Sequence, residues 1–273
     1  MKGIRFTIIP CGYVENDVAW NCACQNTNTW SDHDRKREWA QYPTYCVLIE
    51  HPQVGKILYD VGSGLGDEAG RRGEEMSENF PLFIKREEFV DEQLKKLGYT
   101  VSDIDAIILS HTHWDHYGGI GFFTGTKAAD HVFVPRKDFE FGLAETHAIP
   151  TGISTAYVKA DFETPGITYT FMEEDFIFAP GIRVIIRQGH TPAVASLLVE
   201  GEERNYLFTS DTVSSRKNYG PPLVYSGIVY DTLGVRKTTE EFRRLETECR
   251  AKLIFSHDME QMKQLETVPY FYK

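Results

Sequence analysis

The sequence predicts an α/β fold, and two observations carry that expectation. Apolar runs at 104–109, 182–186, 206–209 and 253–255 have the length and composition of buried strands, and a histidine or aspartate follows each within a few residues. Between and around them lie segments with helical spacing: Phe89, Val90, Leu94 and Leu97 share one face, and Phe242 and Leu245 with Cys249 share another. In α/β sheets, ligands collect beyond the carboxyl ends of the strands, so the polar residues at these ends are the first place to look for chemistry.

Taken in order, residues 4–9 alternate weakly and read as a first strand. Residues 15–43 are polar and read as a long loop holding Trp20, Trp30 and Trp39, aromatics suited to lining an apolar pocket, meeting a second subunit in a homodimer, or packing beneath the loop itself. Tyr45 to Ile49 and Lys56 to Gly62 form paired strands around a turn, with Asp60 closing the second. Residues 63–86, rich in glycine and charge, read as a mobile surface excursion from which Phe80, Leu82 and Phe83 fold back over the site. A helix over 87–97 stops at Gly98. Val132 to Val134 is a short strand, and 136–180 reads as an insertion whose His147 is a solvated loop histidine. The strands at 196–199 and 206–209 make a hairpin through Gly201. Thr238 and Glu241 resemble a capping box opening the last long helix, before a final strand at 252–255.

The densest chemistry lies between Ser110 and Gly119, where His111, His113, Asp115 and His116 fall at i, i+2, i+4 and i+5. On extended backbone, residues two apart point the same way, so His111 and His113 can converge on one ion while Asp115 and His116 reach a second past the turn. The helical zinc motif spaces its histidines at i and i+4, which this segment does not. His190, Asp211 and His257 end the other three strands, so seven ligand-type side chains arrive from four strands and a two-metal cluster is the economical reading. Nitrogen and carboxylate donors without thiolate suit Zn2+, with iron, manganese and cobalt accepted by similar ligands. Asp60, at a fifth strand end, is suited to holding a ligating histidine in one tautomer.

Composition narrows the rest. A chain of 273 residues, with 41% hydrophobic and 25% charged side chains and no abrupt compositional change, reads as one domain over 1–273. With 40 acidic and 29 basic residues, its net charge of −11 repels a phosphate backbone, so nucleic acid is a poor partner. The N-terminal apolar run Phe6 to Ile9, after Lys2 and Arg5, is too short for a signal peptide or a membrane span, so the expected compartment is the cytoplasm, with no membrane partner. Cys11, Cys22, Cys24, Cys46 and Cys249 lack paired Cys-x-x-Cys spacing, which argues against a disulfide framework and a thiolate zinc cluster. Cys22 and Cys24 read as two reduced thiols in a loop.

His-x-His-x-Asp-His at 111–116, followed by His190, Asp211 and His257, resembles the metallo-β-lactamase superfamily, and the Asp60-Val61-Gly62 turn matches its early Asp-x-Gly element. The resemblance runs from about residue 45 to the C-terminus and implies a four-layer αββα sandwich of two similar halves. It further implies one metal on His111, His113 and His190, another on Asp115, His116 and His257, and Asp211 bridging them. His113 stands where the oxygen-reducing iron members carry Glu, which implies hydrolysis. Residues 208–211, 218–222, 231–234, 256–260 and 271–272 are most similar to N-acyl homoserine lactonases and 4-pyridoxolactonase. One departure stands out: Ser214 occupies the place, three residues after the bridging aspartate, where those lactonases usually carry a tyrosine that contacts the substrate carbonyl region. Tyr219 and Tyr225 are the candidates to replace it.

The resemblance therefore implies a hydrolase, lactone-opening and quorum-quenching in type, acting on a small-molecule substrate through water activated between two divalent cations, with Asp115 and Asp211 as catalytic carboxylates. Trp20, Trp30, Phe80 and Phe83 are the expected apolar contacts for a ring or acyl tail. A thioester hydrolase of the glyoxalase type and a phosphodiesterase are the enzymatic alternatives, though no Lys/Arg cluster for a phosphodiester accompanies the motifs. A metal-stabilised binding module without turnover is the alternative from another class, and it needs only four ligands.

Overall fold

The computed structural model describes residues 3–148 and 156–273. In chain order the elements are β1 (Arg5–Asp17), β2 (Trp39–His51), β3 (Gly55–Tyr59), α1 (Glu74–Asn79), β4 (Leu82–Phe83), α2 (Val90–Lys95), β5 (Ala106–Ile108) and α3 (Trp114–Tyr117). There follow β6 (Val132–Pro135), α4 (Arg136–Ala148), α5 (Lys159–Phe162), β7 (Tyr169–Met172), β8 (Phe176–Ala179), β9 (Ile182–Arg187) and β10 (Val194–Glu200). The chain ends with β11 (Asn205–Phe208), α6 (Arg216–Tyr219), α7 (Thr232–Glu248), β12 (Ala251–Ile254) and α8 (Met259–Met262).

Two sheets result, one in the order β4-β1-β2-β3-β5-β6-β7 and one in the order β12-β11-β10-β9-β8. Strand periodicity explains how they stack. Phe6, Ile8, Val47, Ile49, Ile57, Tyr59 and Ile108 face the second sheet and meet Val184, Ala195, Leu197, Val199 and Phe208 in a dry layer. Their neighbours Ile9, Cys46, Leu48, Leu58 and Ile107 point the other way, against Val90 and Leu94 of α2 and Tyr117, Ile120 and Phe123. The outer face of the second sheet, with Ile185, Leu198, Leu207 and Leu253, is covered by Phe242 and Leu245 of α7. Helix, sheet, sheet, helix is the αββα order expected from the sequence. The Tyr59 hydroxyl ties the two sheets together by donating to the Ala195 carbonyl at 2.7 Å.

Several sequence expectations are corrected. The first strand runs to Asp17 and the next starts at Trp39, because antiparallel pairing from Arg5↔Glu50 to Asp17↔Trp39 carries polar residues that alternation alone does not mark. The long loop is therefore shorter at both ends than 15–43. The helix expected over 87–97 is a 3₁₀ turn at Arg86–Glu88 followed by α2, with Gly98 at φ +76° as the stop. Residues 63–86 hold α1 and β4, and β4 pairs with β1 at Val14↔Leu82, so part of this segment is sheet edge. The expected insertion supplies β7 and β8, an edge strand of each sheet, and is part of the sandwich; its residues 149–155 lie outside the described residues. Thr238 and Glu241 do not cap α7. Asp231 does, accepting from Leu233 N, while the Thr238 hydroxyl turns back to the Gly234 carbonyl and Glu241 pairs with Arg187. Among the described residues no helix is long and apolar enough to cross a membrane.

Candidate metal centre

β5 delivers the first group. Past Ile108 the chain leaves the strand, bends at Ser110, and enters α3, which carries Asp115 and His116, from His113 in extended backbone (φ −68°, ψ 150°). His190 follows β9, Asp211 sits in a single 3₁₀ turn after β11, and His257 follows β12. The loops close tightly because Gly118 and Gly119 pack backbone to backbone: a Cβ on Gly119 would stand 2.2 Å from the Val61 carbonyl oxygen.

All seven side chains meet. Among the described residues, three sets bring their ligand atoms within 4.8 Å of one another: His111, His113 and His190; His111, His116 and Asp211; and Asp115, His116 and His257. His190 Nε2 lies 3.0 Å from His113 Nδ1. Asp211 touches histidines on both sides, Oδ1 3.3 Å from His116 Nε2 and Oδ2 3.4 Å from His190 Nε2 and 3.0 Å from His257 Nε2. Asp115 Oδ2 stands 3.5 Å from both His116 Nε2 and His257 Nε2. No cysteine contributes to any of these sets; Cys22 is buried, Cys24 is exposed and both are free thiols.

The opposite edge of four of the imidazoles is held from outside. His190 Nδ1 donates to the Ile228 carbonyl and His257 Nδ1 to the Pro43 carbonyl, each at 2.9 Å. His116 Nδ1 donates to Asp60 Oδ2 at 2.9 Å, and His111 Nδ1 reaches the Ser110 hydroxyl at 3.0 Å, which itself donates to Asp60 at 2.8 Å. A proton kept on Nδ1 leaves Nε2 with a lone pair aimed at the cluster. Asp60 (φ +60°) and Ser210 (φ +48°) are non-glycine residues in left-handed backbone, both on strand ends that lead into the cluster.

Three buried atoms within the cluster, Nε2 of His111, Nε2 of His116 and Oδ1 of Asp211, have no hydrogen-bond partner. Orphaned acceptors at one point are what a cation satisfies, and the donor set of nitrogens and carboxylates fits a pair of divalent ions. The electrostatics agree. Burial, helped by repulsion from His116 and His113, holds His111 well below the usual imidazole range, and burial with repulsion from His190 does the same for His113, so both are neutral donors. Burial would also lower His116 and His257, but the surrounding carboxylates, Asp115 and Asp211 foremost, outweigh it and push both up. Excess negative charge around these two is a demand for a cation.

Beside the cluster lies a cavity of about 60 Å³, several times the ~10–15 Å³ that one water requires. Val14, Met76, Phe80, Trp114 and Ile228 make its apolar side, and Asn16, Asn21, Tyr42, Ser214 and Ser226 its polar side. Of the expected apolar contacts, Phe80 lines the cavity and Trp20 packs behind it with ring centroids 5.1 Å apart. Trp30 is 95% exposed and Phe83 stacks on Tyr13 at the sheet edge, so neither lines it. Tyr219 turns its hydroxyl to Glu246, away from the cluster, and Tyr225 is not among the lining residues. His147 is exposed on α4 and bonds the Leu143 carbonyl. Sequence reading missed Tyr42, Trp114 and the buried Asp138, which accepts from Thr112 N and Tyr157 OH behind His113. For Tyr42 the available signal was the strand pattern of 45–49, which continues backward across Pro43.

Comparison with known proteins agrees with this geometry. N-acyl homoserine lactonase AiiA of Bacillus thuringiensis subsp. kurstaki is 27% identical over 233 residues, 84% of this chain and 86% of its own. N-acyl homoserine lactonase AiiB of Agrobacterium fabrum is 28% identical over 235 residues, 82% of each chain. Among solved structures, a B. thuringiensis AiiA variant with N-decanoyl-L-homoserine bound at its active site superposes with a TM-score of 0.81 at 24% identity over 98% of both chains. AidC, a dizinc quorum-quenching lactonase in complex with a hydrolysis product, superposes with a TM-score of 0.68 at 16% identity, covering 94% of this chain and 88% of its own. The family model for the metallo-beta-lactamase superfamily matches residues 39–257, which hold every strand after β1 and every member of the His/Asp cluster, and the chain belongs to that superfamily.

Proposed function

We propose that the chain is a dinuclear zinc hydrolase that opens small lactone rings, N-acyl homoserine lactones first among them, and so acts in quorum quenching. The observation that carries this reading is the convergence of His111, His113, Asp115, His116, His190, Asp211 and His257 beside a cavity with room for water. The relatives named as N-acyl homoserine lactonases support the substrate class.

His111, His113 and His190 would hold one cation and Asp115, His116 and His257 the other, with Asp211 between them. When bound, such a pair lowers the pKa of water toward about 7 and polarises a carbonyl oxygen. The chain's own groups do the rest. Ile228, Pro43, Ser110 and Asp60 keep the imidazoles oriented, so no reorganisation is needed as charge develops on the carbonyl oxygen. Asp115 lines the cavity and would pass a proton to the ring oxygen as its bond to the carbonyl carbon breaks. Phe80, Met76 and Trp114 shield the ring from bulk water. A neutral lactone requires no cationic clamp, and among the described residues no Lys or Arg lines the cavity.

The test is kinetics on zinc-replete protein with a panel of lactones, a glutathione thioester and an activated phosphodiester, ring opening being followed by proton release. The reading expects kcat/KM on the order of 10⁴ M⁻¹ s⁻¹ or higher for at least one lactone. Turnover confined to the thioester or the phosphodiester would replace it.

A further inference from the structure

Among the described residues, three that carry a hydroxyl line the cavity beside the His/Asp cluster: Tyr42, Ser214 and Ser226. Two of them are already committed. Ser214 Oγ donates to Asn218 Oδ1 at 3.0 Å, and Ser226 Oγ donates to the Trp20 carbonyl at 3.0 Å while accepting from Ile228 N. The Asn218 side chain cannot release Ser214 cheaply, because its own amide nitrogen is bonded to the Asn21 and Val224 carbonyls.

Tyr42 differs. It pairs with Val14 across β1 and β2, so the two side chains share a face, and both line the cavity together with Asn16 two residues further along the strand. Nearby, Asn21 donates an amide hydrogen to Asn16 Oδ1 at 2.9 Å. The Tyr42 hydroxyl donates no hydrogen bond among the described residues, so its O–H remains to be given to a bound molecule. Burial keeps this phenol protonated, its pKa pushed up to about 12. Val14, Met76 and Phe80 line the same cavity, so a bound molecule can present a hydrocarbon portion to them and a hydrogen-bond acceptor to Tyr42.

Resting on the reading of this site as a lactone hydrolase, we propose that Tyr42 is its specificity-determining residue, donating its O–H to the exocyclic amide carbonyl of an N-acylated lactone. Ser214 then contributes nothing to recognition beyond holding Asn218. A substrate lacking the amide leaves the Tyr42 hydroxyl without its acceptor, which is how the site tells acyl-amino lactones from plain ones.

The experiment compares wild type with Tyr42→Phe, both zinc-replete, on N-hexanoyl homoserine lactone and on γ-decalactone. The ratio of kcat/KM for the amide-bearing lactone to that for the amide-free one falls roughly 5- to 30-fold in Tyr42→Phe, chiefly through KM. An unchanged ratio overturns the proposal. A second arm reads the side chain directly: in protein labelled at tyrosine Cζ, with the Tyr42 signal assigned by its loss in Tyr42→Phe, ring-opened N-hexanoyl-homoserine moves that signal and 4-hydroxydecanoate moves it less. Equal or absent movement also overturns it. If wild type opens neither lactone while the Tyr42 signal still responds to the amide-bearing probe, the lactonase reading falls and the Tyr42 contact stands. If both lactones are opened and neither the ratio nor the signal changes, the reverse holds.

Discussion

Asp60 Oδ2 lies 2.9 Å from His116 Nδ1, and through the Ser110 hydroxyl the same carboxylate oxygen also governs His111. Asp60 belongs to none of the three candidate ligand sets, yet two imidazoles that between them take part in all three depend on it. Its left-handed backbone, with its N–H bonded to the Ile108 carbonyl at 2.9 Å, is what turns the side chain under the cluster. Burial raises the Asp60 pKa, and the His116 imidazole and Ser110 oppose that rise.

Asp60→Asn keeps the volume but removes the negative charge and turns one acceptor oxygen into an NH2 donor, so the side chain can no longer accept from both Ser110 N and His116 Nδ1. Zinc affinity is expected to fall about 10- to 100-fold, measured by competition with a chromophoric chelator, with thermal unfolding of the zinc-free protein little changed. Undiminished affinity would remove Asp60 from the account.

Asp138 plays a comparable part on the far side of His113. It is fully buried, accepting from Thr112 N and Oγ1 and from the Tyr157 hydroxyl, and the Tyr157 ring meets the His113 ring edge-on at 4.7 Å. Asp138→Ala strands these donors in a dry environment. Urea denaturation is expected to report a loss of about 2–4 kcal/mol, with kcat reduced because His113 loses its backing. A loss under about 1 kcal/mol would mean that water replaces the carboxylate without penalty.

Stability at acid pH is expected to follow Asp175. Its carboxylate takes two hydrogen bonds from Arg187, at 2.6 and 3.0 Å, and one from Ile186 N at 2.9 Å, while Arg187 also grips Glu241 of α7. Burial would raise the Asp175 pKa, but these bonds outweigh it and the pKa is lowered. With the folded value below the unfolded one of about 3.9, the stabilisation is complete above that pH and is lost as pH falls through the folded value. Arg187→Met should cost about 1–2 kcal/mol at pH 7 and flatten the decline below pH 4, as read by urea denaturation across pH 3–7. A parallel decline in both proteins would contradict the assignment.

These dependencies explain what the sequence could and could not reveal. The seven cluster residues were legible because each stands at the end of an apolar run, where local pattern alone fixes both strand and exit. Asp60 was legible for the same reason. Tyr42 was not, because its strand there is polar and its place beside the cluster depends on pairing with Val14, 28 positions earlier. Asp138 was hidden because nothing local distinguishes a buried carboxylate on α4 from a solvated one; only the approach of Thr112 and Tyr157 does. The Thr238 and Glu241 pattern misled because a capping box needs non-helical backbone at its threonine, and Asp231 had already opened the helix seven residues before.

The central claim is a pair of cations held by seven side chains. Metal analysis of purified protein, paired with lactone turnover before chelation, after it, and after return of zinc, tests that claim most directly. The account predicts two metal equivalents per chain, loss of turnover on stripping, recovery only as the second equivalent is restored, and failure of Asp211→Ala to retain both. Undiminished turnover in metal-free protein, or a single tightly held ion with full activity, would contradict it.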